Sequence, residues 1–351
     1  MSSVVQIGRH IIGRHHACFV IAEAGVNHNG DLRLAKRLVA EAAAAGANAV
    51  KFQTFKAENV VTPKAPKAAY QLDTTDQNES QIDMLRKLEL DPQEFAELMS
   101  ECAKHGILFL STPHDPQSID VLEKLGVQAY KIGSGDVTNL PFLREVASRG
   151  KPILLSTGMS TLGEVESALA AIRGSGNESI ILLHCVSNYP AAIEDTNLRA
   201  MRTMESALHV PTGFSDHTQG DEAALAAVAL GACAIEKHFT LDHGMTGPDH
   251  LASAEPQELA SLIARIRAVE CALGDGLKRP TEAELGNRSA VRKSVVAACD
   301  IPAGTRIERS MLAIKRPGTG LPPETIDDIA GMIARAMIER DVRIEWRMLD
   351  G

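Results

Sequence analysis

Residues 233–240 read CAIEKHFT. The stretch opens as a buried strand does, and then sets Glu236, Lys237 and His238 where the middle of a core strand should be apolar. Side chains two apart on a strand share a face, so Glu236 and His238 point together while Lys237 points away. Seven other segments are built the same way: CFVIAEAG, NAVKFQTF, ILFLSTP, AYKIGSG, PILLSTGM, IILLHCVS and TGFSDHT each begin apolar and end polar. Wherever the following segment is readable, it leads into a helix. Eight such βα units predict a parallel α/β fold, a (β/α)8 TIM barrel whose site lies at the C-terminal ends of the strands.

The helix punctuation agrees with that fold. Asp31 precedes LRLAKRLVAEAAAAG, in which Leu34, Leu38 and Ala42 share a face and Gly46 is a stop. Asp91-Pro92 and Asp115-Pro116 each read as an N-cap with a first-turn proline, closed by Gly106 and Gly126. Thr161 and Glu164 have capping-box spacing. Between the second strand and its helix, VTPKAPKAAYQLDTTDQNESQ at 61–81 is long, polar and helix-poor, which suits either a binding loop or a floppy insertion.

With 351 residues and 44% hydrophobic content, the chain exceeds one core's usual size, so two domains are expected. The barrel is assigned to 1–276, ending at ALGDG, and a charged linker to 277–291. From 292 to 351 the pattern changes to short strands and turns. A net charge of −9 argues against a nucleic-acid partner or an anionic membrane surface. The N-terminus lacks the layout of a secretory leader and no apolar run approaches membrane-span length, which points to the cytoplasm. The six cysteines form no C-x-x-C pair and read as reduced core residues, not zinc ligands.

The polar strand ends carry the chemistry. The two-residue rule pairs Glu236 with His238, Ser215 with His217, and Lys51 with Gln53. On neighbouring seventh and eighth strands, His217 and His238 would emerge side by side. Either histidine alone reads as a hydrogen-bonded core or rim residue; at matching positions they suit a catalytic divalent metal with open positions, such as Mn²⁺ or Co²⁺. Of the other histidines, His15, His16, His105, His209 and His243 read as solvated, and His250, after the GPD turn, as a residue that could line the site. Lys51 and Lys131 sit in apolar strands and each needs an anionic partner. A bound phosphate or carboxylate is one candidate, with Ser134, Ser156, Ser215 and the helix starts after GSG and STGMS as further donors. Salt bridges to Glu23 or Glu236 are the other.

VIAEAGVNHNG, VKFQTF, STP, KIGSG, STGM, LLHC, YP, SDHT, IEKHFTLD and GPDH occur in that order, and RKS at 292–294 with IKRPGTG at 314–320 follows. A chain with these motifs resembles the sialic acid synthase family, including its C-terminal antifreeze-like (SAF) domain, over nearly its whole length. The resemblance implies condensation of phosphoenolpyruvate with an acetamido sugar of mannose type, releasing phosphate and forming a nine-carbon 2-keto acid. It also implies roles for individual residues. His217 and His238 hold the metal, Mn²⁺ by preference with Mg²⁺ or Co²⁺ as alternatives, and Glu236 stands behind them. Glu23 positions or deprotonates a water or a sugar hydroxyl. Lys51, Lys131, Ser134, Ser156 and Ser215 hold phosphoenolpyruvate, while Gln53, Thr112, Tyr189 and Asp249 contact the sugar. Arg316 comes from the antifreeze-like domain of a second subunit, which implies a domain-swapped homodimer.

Three departures from the family pattern stand out. His114 replaces the phenylalanine expected after STP, Val186 to Asn188 replace a threonine-rich run, and IERDVRIEWRML lacks a glycine turn, so an irregular last strand is expected. N-acetylmannosamine, giving N-acetylneuraminate, is the acceptor preferred from the sequence, with a 2,4-diacetamido-trideoxy sugar, giving legionaminate, as the alternative. A Schiff-base aldolase acting through Lys131 is the competing reaction class, and a glycan-binding role for the tail alone the competing non-enzymatic one.

Overall fold

Eight parallel strands make one sheet: β1 (Phe19–Gly25), β2 (Ala49–Thr54), β3 (Leu108–Pro113), β4 (Tyr130–Ile132), β5 (Ile153–Ser156), β6 (Ile180–Cys185), β7 (Thr212–Asp216) and β8 (Ala234–His238). Their hydrogen-bonded order is β3-β2-β1-β8-β7-β6-β5-β4, so the sheet curls round from β3 to β4 and β8 closes against β1. This is the expected barrel, seen in a computed structural model that describes residues 4–351.

Alternation along each strand sorts the core into two layers. Phe19, Ile21, Ala49, Leu110, Leu154, Ile181, Leu183 and Ala234 form one buried apolar cluster inside the barrel. Their neighbours Val20, Ala22, Val50, Phe52, Tyr130, Leu155, Leu182, Phe214 and Ile235 face outward into the cluster shared with the helices. Filling both sides removes each large apolar side chain from water, a gain of roughly 1.5–3 kcal/mol apiece. An antiparallel hairpin, Val4–Ile7 with His10–Gly13, adds Val5, Ile7 and Ile12 to the interior cluster. It thereby plugs the N-terminal end of the barrel.

The helices begin where the caps were read. Asp31 caps α1 (Leu32–Ala44), Asp91 with Glu94 caps α2 (Pro92–His105), and Asp115 caps α3 (Pro116–Leu125). Gly106 and Gly126 take the left-handed conformation that ends α2 and α3. The ring continues with α4 (Leu140–Ser148), α5 (Leu162–Arg173), α6 (Arg199–Leu208), α7 (Glu222–Ala229) and α8 (Pro256–Leu273). One face was misread: in α1 the buried stripe is Ala35, Leu38, Val39 and Ala42, with Leu34 only partly covered.

Within 61–81 the only helical residues are Ala69–Thr74 and Gln81, so the stretch is helix-poor as expected, though it is not without structure. The connection after β2 folds into three short helices, Ala57–Val60, Ala69–Thr74 and Gln81–Arg86. Lys67 holds the turn between the second and third, donating to Thr75 Oγ1 at 3.0 Å and the Asp76 carbonyl at 2.7 Å, and pairing with Glu79 at 3.2 Å.

The chain divides into two compact units at Gly274 and Asp275. In the second, Ser294–Ala297 pairs with Leu312–Lys315 and Ile333–Ala334 with Leu349–Asp350, all antiparallel, around Val295, Ile301, Ile307, Ile329 and Ile344. Residues assigned to a linker include a helix, Glu282–Val291, capped by Thr281 and Glu284. In place of the missing glycine turn, Asp341 itself takes a left-handed φ of 66°. The last strand is correspondingly only two residues long. Cys18, Cys102, Cys185 and Cys233 are buried free thiols, whereas Cys271 and Cys299 are exposed, not core residues as expected. Among the described residues no helix is long and apolar enough to cross a membrane.

Candidate active site at the barrel mouth

Register along the sheet decides which strand ends meet. His238 pairs with Glu23 across β8 and β1, Glu23 with Lys51 across β1 and β2, Gln53 with Thr112 across β2 and β3, and Glu236 with Ser215 across β8 and β7. All are inward-facing positions beyond the apolar interior, in two successive layers. They line a cavity of about 360 Å³ that includes Lys131, Ser134, Ser156, Tyr189, His217 and Asp249 as well. Every predicted site residue of the barrel is therefore brought to one place; Arg316 belongs to the second unit, where its side chain is exposed.

Both buried lysines have found carboxylates. Lys51 Nζ lies 2.9 Å from Glu23 Oε2 and 3.7 Å from Glu236 Oε2, and Lys131 Nζ lies 3.3 Å from Glu236 Oε1. Lys51 also donates to Thr112 Oγ1 at 3.2 Å, and Gln53 Nε2 to Glu23 Oε1 at 3.2 Å. Burial by itself would raise the Glu236 carboxyl, but Lys131, Lys51 and the Ser215 hydroxyl outweigh it and hold the group at about 2. Glu23 moves the other way: burial, reinforced by the charge of Glu236, overcomes Lys51 and raises it. Burial also lowers Lys131 against the pull of Glu236. Two carboxyls in one cluster are thus pushed apart, the arrangement that divides acid and base roles.

The histidines converge as well. The rings of His217 and His238 have centroids 5.3 Å apart, with Tyr189 at 4.2 Å from His217 and 5.3 Å from His238. His217 Nδ1 donates to the Val186 carbonyl at 2.6 Å, which fixes its tautomer and makes Nε2 the acceptor, with Ser215 Oγ at 3.4 Å from it. That contact uses backbone, so the unusual side chain at 186 does not disturb it. His238 Nδ1 is buried without a hydrogen-bond partner, 3.9 Å from Asp249 Oδ2. Burial takes His217 to about 4 and His238 well below its usual value, so both rings are neutral at neutral pH. Among the described residues no group of three or more His, Cys, Asp or Glu side chains gathers around one point. The pair therefore fits a divalent ion only where oxygen ligands from water or substrate complete the shell.

Other features need an occupant or a correction. Ser156 Oγ is buried without a partner, while Ser134 Oγ accepts from the Gly158 amide at 2.9 Å. His114 lines the cavity, packs edge-on against Phe55, and is lowered to about 4 by burial and by Lys51 and Lys131. Gln71, Met84, Leu85 and Leu88, from the folded loop after β2, supply a wall that strand periodicity could not reveal. His250 does not line the cavity; it is buried, held by Thr240 and Asn29. Lys237 faces outward, as alternation requires, and pairs with Asp216 at 2.8 Å. A larger cavity, about 630 Å³, lies on that outer side between the loop after β7 and α8, away from the strand-end cluster.

Burial, followed by the charge of Glu23, raises Asp249 from 3.8 to about 7. Between those values the folded state keeps a proton that the unfolded chain has lost, so this group's contribution to stability falls as pH rises through the window. From about pH 5 to about pH 8 the wild type is expected to lose roughly 2–3 kcal/mol more than Asp249→Asn. Urea unfolding of both proteins at the two pH values measures the difference, and parallel changes would refute it.

Comparison with known proteins supplies the context for this geometry. Residues 38–278 match the NeuB family and residues 292–350 the SAF domain. The chain is 50% identical over 324 residues to the N,N'-diacetyllegionaminic acid synthase of Campylobacter jejuni, covering 92% of this chain and 97% of that one. It is 45% identical over 343 residues to the protein of the same name from Legionella pneumophila, covering 96% of each. A solved structure of N-acetylneuraminic acid (sialic acid) synthetase from Leptospira borgpetersenii, in complex with citrate, is 37% identical with a TM-score of 0.73, over 82% of this chain and 95% of that chain. From the eight-stranded barrel with its polar mouth to the strand pairs of the tail, this chain belongs to the NeuB family.

Proposed function

We propose that the protein is an N,N'-diacetyllegionaminate synthase, which condenses phosphoenolpyruvate with 2,4-diacetamido-2,4,6-trideoxymannose and water to give a nine-carbon 2-keto acid and phosphate. The acceptor preferred from the sequence, N-acetylmannosamine, gives way here to the alternative, because the two relatives at 50% and 45% identity are diacetyllegionaminic acid synthases. The observation that carries the chemistry is the convergence of Lys51, Lys131, Ser156 and two neutral histidines in one cavity.

Lys51 and Lys131, with Ser134, Ser156 and Ser215, hold the carboxylate and phosphate of phosphoenolpyruvate in this reading. Carbon 3 attacks the aldehyde carbon of the open-chain sugar, forming the C–C bond, and the aldehyde oxygen takes up a proton. Water then adds at carbon 2, and departure of phosphate leaves the keto group. Glu23 orients that water or exchanges its proton in this reading, which its raised carboxyl and the hydrogen bond from Gln53 support. Glu236, held ionised, fixes both ammonium groups. Gln53, Thr112, Tyr189 and Asp249 contact the sugar, joined by Arg316 of the partner subunit in a domain-swapped homodimer. His217 and His238 would hold a divalent ion, Mn²⁺ by preference, which when bound polarises the sugar aldehyde.

Phosphate release from phosphoenolpyruvate, measured with each sugar offered separately, tests this. Release with the diacetamido sugar is expected to exceed that with N-acetylmannosamine by about tenfold or more in kcat/KM. Chelator is expected to abolish it and Mn²⁺ to restore it. No release with either sugar would sink the synthase reading. The lowered Lys131 favours one second reading, the Schiff-base aldolase, for which borohydride with pyruvate should inactivate the enzyme and chelator should not.

A further inference from the structure

The motif VNHNG at 26–30 directly follows β1, yet Asn27, His28 and Asn29 contribute nothing to the cavity lining. His28 Nδ1 accepts from the Gly30 amide at 3.0 Å, whereas the amides of Asn27 and Asn29 reach into the segment after β8, more than two hundred residues later. Asn27, 1% exposed, spends both amide hydrogens there: Nδ2 donates to the Phe239 carbonyl at 2.9 Å and to Ser253 Oγ at 2.9 Å. The Ser253 hydroxyl in turn donates to the Asp249 carbonyl at 2.6 Å. One side chain thus ties the residue after His238 to the backbone of Asp249.

Asn29 and His250 make a second tie. Asn29 Nδ2 donates to the Thr246 carbonyl at 2.9 Å, and its Oδ1 accepts from His250 Nε2 at 3.2 Å. With its proton on Nε2, His250 accepts at Nδ1 from the Thr240 hydroxyl at 2.6 Å. Burial lowers His250 to about 4, so the neutral ring this pattern needs is the form present. Gly247, at φ +151°, lies against both partners: a Cβ there would come within 2.7 Å of Asn29 Oδ1 and of His250 Cδ2. The loop is therefore clasped at four places, Phe239, Thr246, His250 and Ser253, with the Asp249 carboxyl left facing the cavity 3.9 Å from His238.

We propose that Asn27 is a positioning residue for the acceptor sugar: through Ser253 and the Phe239 carbonyl it sets the Asp249 carboxyl opposite His238. The inference rests on the reading of Asp249 as an acceptor contact. Asn27 touches no reacting atom, so its loss acts by letting the loop shift, and a shift of an ångström suffices to weaken a contact severely.

The test uses the full-length enzyme with the diacetamido sugar and phosphoenolpyruvate. Asn27→Ala is expected to raise the acceptor KM about tenfold and Ser253→Ala several-fold, with the KM for phosphoenolpyruvate within about twofold of wild type. In an Asp249→Ala background, Asn27→Ala should add nothing further, because the two act on one contact. Hydrogen exchange provides a readout independent of turnover: amides of 239–253 should exchange faster in both variants while those of β2 to β6 do not change. If Asp249→Ala raises the acceptor KM and Asn27→Ala does not, the clasp inference fails while the acceptor reading stands. If Asp249→Ala leaves that KM unchanged, the acceptor reading fails and takes the inference with it. Unchanged exchange in 239–253 overturns the clasp whatever the kinetics, and Ser253→Ala, which deletes one oxygen, serves should Asn27→Ala fail to fold.

Discussion

Lys131→Met is expected to lower kcat/KM for phosphoenolpyruvate by about 10²–10³-fold, the usual cost of removing one preorganised electrostatic donor from a water-poor site. Methionine keeps most of the volume, so the loss reports charge more than shape. Lys131 is 3% exposed and its ammonium is 3.3 Å from Glu236 Oε1, in a cavity whose other cation, Lys51, is engaged by Glu23. No neighbouring group can take over its charge. The variant also removes the largest of the attractions that hold Glu236 ionised, so that carboxyl should rise from about 2. Initial rates of phosphate release against phosphoenolpyruvate concentration measure the effect. A fall of less than tenfold would remove Lys131 from the anion site, and total loss combined with borohydride trapping in the wild type would transfer it to the Schiff-base reading.

Lys237→Met should cost stability without touching the cavity. Lys237 Nζ meets Asp216 Oδ2 at 2.8 Å and the carbonyls of Thr218 and Gly220 at 2.6 and 2.9 Å, with both charged side chains almost fully buried. Removing one member of a buried pair strands the other, at about 3–5 kcal/mol. For a unit of this size that corresponds to roughly 10 °C in Tm. Asp216→Asn combined with Lys237→Met should recover part of the loss, since no buried charge is then left alone. Thermal unfolding of the single and double variants reads both effects, and a single-variant loss below about 1 kcal/mol would mean that water reaches the pair.

Alternation made much of this molecule legible. CAIEKHFT and its seven counterparts carry a period of two, and a period of two says which side chains enter the barrel, which is why Glu236 and His238 were separated from Lys237 correctly. It does not say which inward neighbour each will meet. Whether Lys51 and Lys131 were balanced by a ligand or by Glu23 and Glu236 stayed open until register paired the strands. The short helices at 57–86 left no trace because four to six residues span too few turns to show a hydrophobic face, and the turn between the last two is held by Lys67 through contacts of the folded chain. His250 was misjudged for a related reason: the groups that bury it, Asn29 and Thr240, are contacts of the folded chain and not of its local pattern. Gln71, His114 and Tyr189 line the cavity from its loops, and their residue types are compatible with more than one sugar, so the sequence alone left the acceptor open.

The hairpin of residues 4–13 turns the barrel into a vessel with one opening. Its floor is sealed by Val5, Ile7 and Ile12, so everything that enters must come and go past the rim built by the loops. Lys51, Lys131 and Glu236 sit one side-chain layer nearer that floor than Gln53, His238 and Asp249. Whatever binds in the lower layer has to be loaded before the upper layer is filled, and it leaves last. Traffic through the site is therefore ordered by depth: whatever sits in the lower layer can be exchanged only while the upper layer is empty.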